Sequence, residues 1–502
     1  MTARPITGRV TASPARLLHE HTLGPQFALE SERLFPAYLR VERVLLVEYL
    51  RMGVLSEAEV TAVAGALDEL AATDLVADPD RNLSDISLAV ERLVDAAPGG
   101  APPRWHLDRS RNDAQACAQL MYGRDELLAV ADGLHTAMRT ALDQARESAD
   151  VPMPGYTQMQ AAQVVSPGFY LAALVEHGLR TLRRLRGTYD ELNRCPLGAG
   201  AMSGQELDWD RDAMARLLGF AGPQPHALTS VASRAWSLET VGELSHFGVG
   251  LSRFLTDLMT WAGATCGFVV LPDELAGISA AMPQKRNYPV LERIRGRTAH
   301  LTSAYQDLVL GQRNTPYTNM IEVSKESARQ LDDAFRATRS ILELLTAVLT
   351  GLSWRPEVMR AACDREFLGG MTLANRLTEH AGLPWRTAQV VSGRYIAGRV
   401  AAGAEPSAVD GAALAALAAE AGGTVTDPQA LAGGALDTDG QFAVKRSAGS
   451  ASPAATRALL DEQDVALREL AGDWAQRRSV VAATDERIAA ALTGADGRVG
   501  AR

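Results

Sequence analysis

Between residues 277 and 295 the chain places four groups that could move a proton and hold the charge left behind. A hydroxyl (Ser279), an ammonium (Lys285) and an amide (Asn287) fall within one short stretch, and a carboxylate (Glu292) follows closely. The stretch is small, glycine-containing and bounded by Pro283 and Pro289, so it reads as a mobile loop. Its lysine is conspicuous. Of 50 Lys and Arg residues only three are lysines: Lys285, Lys325 and Lys445. Lysine is a compact point charge where arginine is a planar fork, so the choice suits a site that steadies one small anion. A surface loop with a stray lysine is the bland alternative.

Two further segments are rich in polar groups and poor in core residues. His106–Asp113 carries Arg109, Ser110, Arg111 and Asn112 in succession, a set able to grip carboxylates through fixed forks and neutral donors. The plainer reading is a helix start capped by Ser110 or Asn112. Met153–Gln163 puts Thr157 and Gln158 after a Pro-Gly pair and ahead of a helical pattern. A hydroxyl and an amide beside a helix N-terminus suit an anion, because the free N–H groups and the dipole point the same way. Here too an ordinary N-cap is the competing reading.

These segments need a scaffold, and the apolar pattern supplies one. Leu171, Leu174, Val175, Leu179, Leu182 and Leu185 recur at helical spacing, as do Leu244, Phe247, Leu251, Phe254, Leu255, Leu258 and Trp261. Leu331, Phe335, Ile341, Leu342, Leu345 and Leu349 form a third stripe. No comparable β alternation is visible, so the fold class is all-α, built on a bundle of long helices. Three regions follow: a mixed helical domain at 1–112, a long-helix bundle at 113–364 and a small helical domain at 365–502.

Composition narrows the function. The net charge of −10 argues against a nucleic-acid or membrane-surface role, since both need a basic face. No apolar run approaches the ~20 residues needed to cross a bilayer. The N-terminus lacks the apolar core of a secretory signal, so the expected compartment is the cytoplasm. Cys117, Cys195, Cys266 and Cys363 form no metal or redox motif, and the histidines have no partners at ligand spacing. Neither a metal nor a cofactor is expected.

Taken together, the segments resemble the fumarase/aspartase superfamily, and within it argininosuccinate lyase. Ser279, Met282, Pro283, Lys285 and Asn287 are similar to its signature G-S-S-x-M-P-x-K-x-N-P. Asp108–Asp113 and Met153–Gln160 resemble G-R-S-R-N-D and M-P-G-Y-T-H-L-Q, and Cys195–Ala201, Arg234, Tyr317 and Lys325 are further matches. The resemblance extends over about 53–390. It implies a three-domain subunit in a homotetramer, with about twenty helices in the shared core and each active site drawn from three subunits. It also implies reversible β-elimination of an N-substituted aspartate to fumarate and an amine. Ser279 would be the base, and Lys285 and Asn287 would hold the carboxylate on which charge accumulates. Ser110, Arg111, Asn112 and Thr157 would bind the fumarate portion, with Arg109 and Met282 lining the substrate.

The chain departs from that pattern at telling positions. The family's Thr-His pair reads Thr157-Gln158, and the histidine's acid or relay partner is matched by Glu292. Glutamine cannot donate a proton at neutral pH. Either the chain is silent, like the lens crystallins of this family, or its amine leaves already protonated. The glutamine expected before Lys325 is Glu322, and Tyr38–Glu42 replaces an N-terminal D-x-x-G-S. Carboxylates such as Glu322 and Glu42 favour a cationic amine, while Tyr317, Arg234 and Lys325 could bind an anionic end. The expected substrate is thus an aminocarboxylate such as ethylenediamine-N,N′-disuccinate, with argininosuccinate as the alternative.

Overall fold

The computed structural model describes residues 9–10, 12–80 and 84–494. The outer ends of the expected first and last regions, 1–8 and 495–502, lie outside the described residues. Helix accounts for 67% of the chain and strand for 4%. The long helices are α1 (Gly24–Arg51), α2 (Arg111–Glu147), α3 (Pro167–Leu192), α4 (Ala235–Ala262), α5 (Pro289–Gln312), α6 (Ala328–Gly351) and α7 (Pro453–Ala482). Each sequence stripe becomes a buried helix face: Leu171, Leu174, Leu179 and Leu182 on α3, Leu244, Leu251, Leu255 and Leu258 on α4, and Phe335, Ile341, Leu342 and Leu345 on α6. Burying one such side chain contributes about 1.5–3 kcal/mol, so these faces dominate the bundle's stability. Phe254 is the exception, only partly covered.

The helices run antiparallel, which gives the bundle two distinct ends. At one, here the head, lie the start of α2, the residue preceding α4, the end of α5 and the approach to α6: Arg234 Nε donates to Gln119 on α2 (2.7 Å) and Gln312 donates to Ser237 on α4 (3.2 Å). At the other, the tail, α4 and α6 end together. Two short strands, β3 (Val269–Val270) and β4 (Ser353–Trp354), pair there.

Two features depart from the expectation. Residues 153–163 are not a turn feeding a helix. Met153–Thr157 (β1) and Gln160–Val165 (β2) form an antiparallel hairpin, and α3 starts only at Pro167, capped by Ser166. Gln158 and Met159 at its tip have φ of 49° and 62°, so a two-residue turn with both residues left-handed closes it. Gly155 sits in the strand at a bulge, where a Cβ would come within 2.9 Å of Val165.

Second, the expected 365–502 region divides. Helices within 370–436 close a core of their own around Leu373, Leu377, Val391, Tyr395 and Leu414. The chain then returns: α7 buries Leu460, Leu467, Leu470 and Trp474 in the main core, against α2 and α3. Arginine–aspartate pairs edge that contact, including Arg139–Asp464 (2.6 Å), Arg146–Asp461 (3.1 Å) and Arg477–Asp190 (2.7 Å). α7 thus covers an α2–α3 surface that would otherwise be open.

Candidate active site

At the head, the plain and the functional readings of His106–Asp113 meet. Ser110 caps α2, its Oγ accepting from the Asn112 N–H at 3.2 Å. The Asn112 side chain donates to the Ala201 carbonyl at 3.1 Å. Asp113 locks this arrangement. Its carboxylate is buried and accepts the N–H of Gly198 and of Gly200, each at 3.0 Å, and that of Ala114 at 2.9 Å. Burial pushes its carboxyl up to about 7 while those N–H donors pull it down. Gly198 and Gly200 both have positive φ, and a Cβ on Gly200 would lie 2.5 Å from the Gly204 carbonyl oxygen. Only glycine lets this loop wrap so closely around the carboxylate.

Other cations at the head already have partners. Arg109 faces inward and pairs with Glu42 on α1, both side chains being almost fully buried. The expectation that Arg109 lines the substrate and Glu42 attracts an amine is corrected here, because each neutralises the other. Burial and Arg109 hold His106 down at about 4, so its ring is neutral at physiological pH. Arg111 is exposed and pairs with Asp85 at 3.3 Å. Arg234 is buried, bonded to Gln119 and to the carbonyls of Val231 and Ser233. Burial lowers its guanidinium to about 10. Lys325 reaches Glu30 on α1 at 3.1 Å. Tyr38, buried on α1, lies within electrostatic reach of Glu30, Asp85, Arg111 and Arg234. Tyr317 and Glu322 are exposed beside them in the chain.

The tail presents the opposite picture. A bridge between Gly277 and Asn287, with N–H to O distances of 2.8 and 3.1 Å, closes the loop's base. Arg286 ties it to the Leu271 carbonyl at 2.6 Å and to Asp273 at 2.7 Å. The loop's crown is exposed from Ala280 to Arg286, Met282 included. The Ser279 hydroxyl accepts from the Met282 N–H at 3.1 Å, and Lys285 has no ion-pair partner among the described residues. Lys285 and Glu292 line a cleft of ≈ 460 Å³ with Met259, Ala262, Tyr288 and Leu291. Thr157 and Gln158 are exposed at the hairpin tip, whose stem packs Val164 against Cys363, Leu368 and Phe442. They tip a hairpin and do not lead directly into the helix that begins at Pro167, contrary to expectation.

The structure thus gathers Ser110, Arg111, Asn112, Arg234 and Lys325 at the head and Thr157, Gln158, Ser279, Lys285, Asn287 and Glu292 at the tail. Arg234 precedes α4, and the cleft holding Lys285 and Glu292 lies at its end, 28 residues on. At 1.5 Å per residue that is about 40 Å. No small molecule can touch both sets within one chain. Sequence reasoning gave no role to Glu30, Asp85 or Asp113, although Asp113 closes the Asp108–Asp113 stretch. Among the described residues no group of three or more His, Cys, Asp or Glu is placed to hold a metal ion, and no helix is long and apolar enough to cross a membrane.

The family model described as lyase matches residues 43–303. An argininosuccinate lyase of Synechococcus sp. (strain JA-3-3Ab) is 33% identical over 356 residues, 70% of this chain and 72% of that protein. An argininosuccinate lyase of Hyphomonas neptunium (strain ATCC 15444) is 30% identical over 479 residues, 94% of this chain and 97% of that one. Among solved structures, EDDS lyase in complex with formate superposes with a TM-score of 0.84 at 24% identity, covering 97% of both chains. Recombinant class II fumarase from Schistosoma mansoni gives 0.63 at 16% identity, covering 79% of this chain and 87% of that one. The chain belongs to this lyase family, as an argininosuccinate lyase-like member of the fumarase/aspartase superfamily, and is a fumarate-releasing carbon–nitrogen lyase.

Proposed function

From that membership we propose that the chain cleaves an N-substituted aspartate whose amine half is an aliphatic diamine derivative, such as ethylenediamine-N,N′-disuccinate. The observation that carries this reading is Gln158 at the exposed hairpin tip, where the family carries a histidine. Lacking a proton donor there, the enzyme favours an amine that departs already protonated. An aliphatic amine, with pKa about 10, carries its own proton near neutrality.

Ser279 removes the proton beside the substrate carboxylate. A hydroxyl does this only as an alkoxide, which loop closure and nearby cations must stabilise. Lys285 and Asn287 then hold the carboxylate as it becomes dianionic, the step where electrostatic stabilisation matters most. Lys285, without an ion-pair partner among the described residues, is available for that charge. Met282 covers the reacting carbon, and Glu292 lines the same cleft as Lys285. Ser110, Arg111, Asn112 and Thr157 orient the fumarate half, and Gln158 donates only an amide hydrogen bond. Arg234, Tyr317, Glu322 and Lys325 surround the amine half, and Arg109 supports the Ser110 turn from within.

Because α4 separates head from tail, the complete site is shared among copies in a homotetramer. Mixing Ser279→Ala with Asn112→Ala protomers, each inactive alone, is expected to restore activity in hybrid assemblies. Absence of any recovery would return the site to one chain. For the substrate, fumarate is incubated with arginine or with ethylenediamine and the adducts are measured. Ethylenediamine is expected to be consumed at least about tenfold faster, and efficient argininosuccinate formation overturns the diamine assignment.

A further inference from the structure

The two residues that flank Asn287 are particular to this chain. The signature G-S-S-x-M-P-x-K-x-N-P leaves the position before its asparagine open and follows the asparagine with proline. Here those positions hold Arg286 and Tyr288. The two side chains meet: the Arg286 guanidinium lies over the Tyr288 ring, 5.5 Å from its centroid. A planar guanidinium can stack on a ring and donate hydrogen bonds from its edge at the same time. Arg286 Nη2 donates to the Leu271 carbonyl at 2.6 Å and to Asp273 at 2.7 Å. Asp273 is exposed, so that pair adds little in water, whereas Leu271 is buried and its carbonyl is a fixed point.

Both ends of this contact rest on settled structure. Leu271 follows β3, and Pro272 packs against the end of α6, where a Cβ on Gly351 would lie 2.8 Å from the proline ring. Tyr288 packs against the main core and immediately precedes Pro289, the first residue of α5. Arg286 therefore joins the base of the loop, closed by the Gly277–Asn287 bridge, to two elements of the body. The crown is different. Among the described residues its hydrogen bonds are its own: the Met282 N–H donates to Ser279 Oγ at 3.1 Å and the Lys285 N–H to the Met282 carbonyl at 3.0 Å. The crown can thus swing as a unit while the chain from Arg286 onward stays in place. Arg286 stands directly between Lys285, at the end of the moving part, and Asn287, at the start of the fixed part.

We propose that Arg286, seated on Tyr288, is a positioning residue for the elimination: it pins the base of the loop, so that Asn287 is placed in advance and Lys285 swings in on a fixed pivot. This rests on the roles given to Lys285 and Asn287 under the proposed function. Those two act most strongly as the substrate carboxylate becomes dianionic, so loosening their mount should lower kcat and leave KM nearly unaltered. The test follows fumarate consumption by the full-length protein with ethylenediamine or arginine, whichever the wild type accepts. Arg286→Ala is expected to lower kcat at least about fivefold with KM for fumarate within about threefold, since a misplacement of 1 Å near the reacting atoms can cost about 10²-fold. Tyr288→Ala should do the same. Arg286→Ala/Tyr288→Ala should then fall within about twofold of the slower single variant, as expected of residues that act as one unit. A smaller fall in kcat, a loss confined to KM, or single effects that multiply would overturn the proposal. Should Arg286→Ala lower the thermal midpoint, Arg286→Met, which keeps an apolar stem and loses the donors, replaces it under the same expectation. Asn287→Ala and Lys285→Ala separate the two ways of failing. Full activity in both overturns the proposed roles, whereas their inactivity beside an unaffected Arg286→Ala overturns the positioning alone. A wild type inert with both amines overturns the proposed function, and this inference with it.

Discussion

The two ends of the bundle, which the proposed function treats as halves of one site, are built on opposite rules. At the head, several buried charges are paired within the chain, Arg109 with Glu42, Lys325 with Glu30, and Asp113 with three backbone N–H groups, while Glu42 Oε2, Arg109 Nη1 and Arg234 Nη2 keep no hydrogen-bond partner among the described residues. At the tail, Ser279 and Lys285 stand on an exposed loop, and Thr157 and Gln158 cap an exposed hairpin. Rigid, desolvated ion pairs give a binding surface its precision, because their geometry is fixed before substrate arrives. A group that must become a strong base gains from the reverse arrangement: it stays in water until closure excludes water around it. On the proposed function, the contrast corresponds to a preformed cradle and a late-arriving base supplied by different copies.

Four experiments press on that contrast. The largest effect is expected at the tail. Ser279→Ala should lower the rate of fumarate release about 10³-fold or more, the range of general-base catalysis, while the thermal midpoint stays unchanged because the loop is exposed. Substantial residual activity would remove Ser279 from the base role. At the head the same logic inverts: Glu42→Gln leaves the buried Arg109 guanidinium unpaired and should cost about 3 kcal/mol in denaturant unfolding. A loss below about 1 kcal/mol would mean that the head is not prebuilt.

Smaller effects sharpen the picture. Gln158→His restores an imidazole at a left-handed position that histidine tolerates. It should change kcat/KM for a diamine-derived substrate less than about tenfold, while adding a limb to the pH–rate profile near 6.5. A larger gain would show that the amine does need an acid. The smallest effect is a slope. Asp113 has a folded-state pKa of about 7 against an ordinary 3.8, so between those values the folded chain binds more protons than the unfolded one. Stability contributed by that proton is complete below about pH 4 and is lost as pH rises towards 7. Asp113→Asn should remove this fall from the wild-type stability curve, and an unaltered slope would place its source elsewhere.

The helical scaffold is legible in the sequence because its signal is local. The Leu171–Leu185 and Leu244–Trp261 stripes repeat within one element and need no knowledge of partners. Ser110 is likewise readable as a cap, since capping is settled within three residues. The hairpin is not. Met153-Pro-Gly-Tyr reads as a turn, but the actual turn is Gln158-Met159, whose left-handed backbone no residue type there advertises. Pairings across the chain are also invisible: Glu42 lies 67 residues from Arg109, and Glu30 lies 295 from Lys325. Hence the sequence suggests Glu42 as a site carboxylate, whereas the structure pairs it with Arg109 and leaves Glu30 beside Lys325.

The path of α7 has a consequence for how the molecule is made. The chain leaves the bundle after α6, builds the small 370–436 core, and only then returns to cover α2 and α3. During synthesis, the surface destined for Leu460, Leu467 and Trp474 stays bare until α7 itself has emerged. A chain halted before Pro453 would leave the α2–α3 face of the bundle uncovered. Completion of the bundle therefore waits for α7, the last long helix among the described residues.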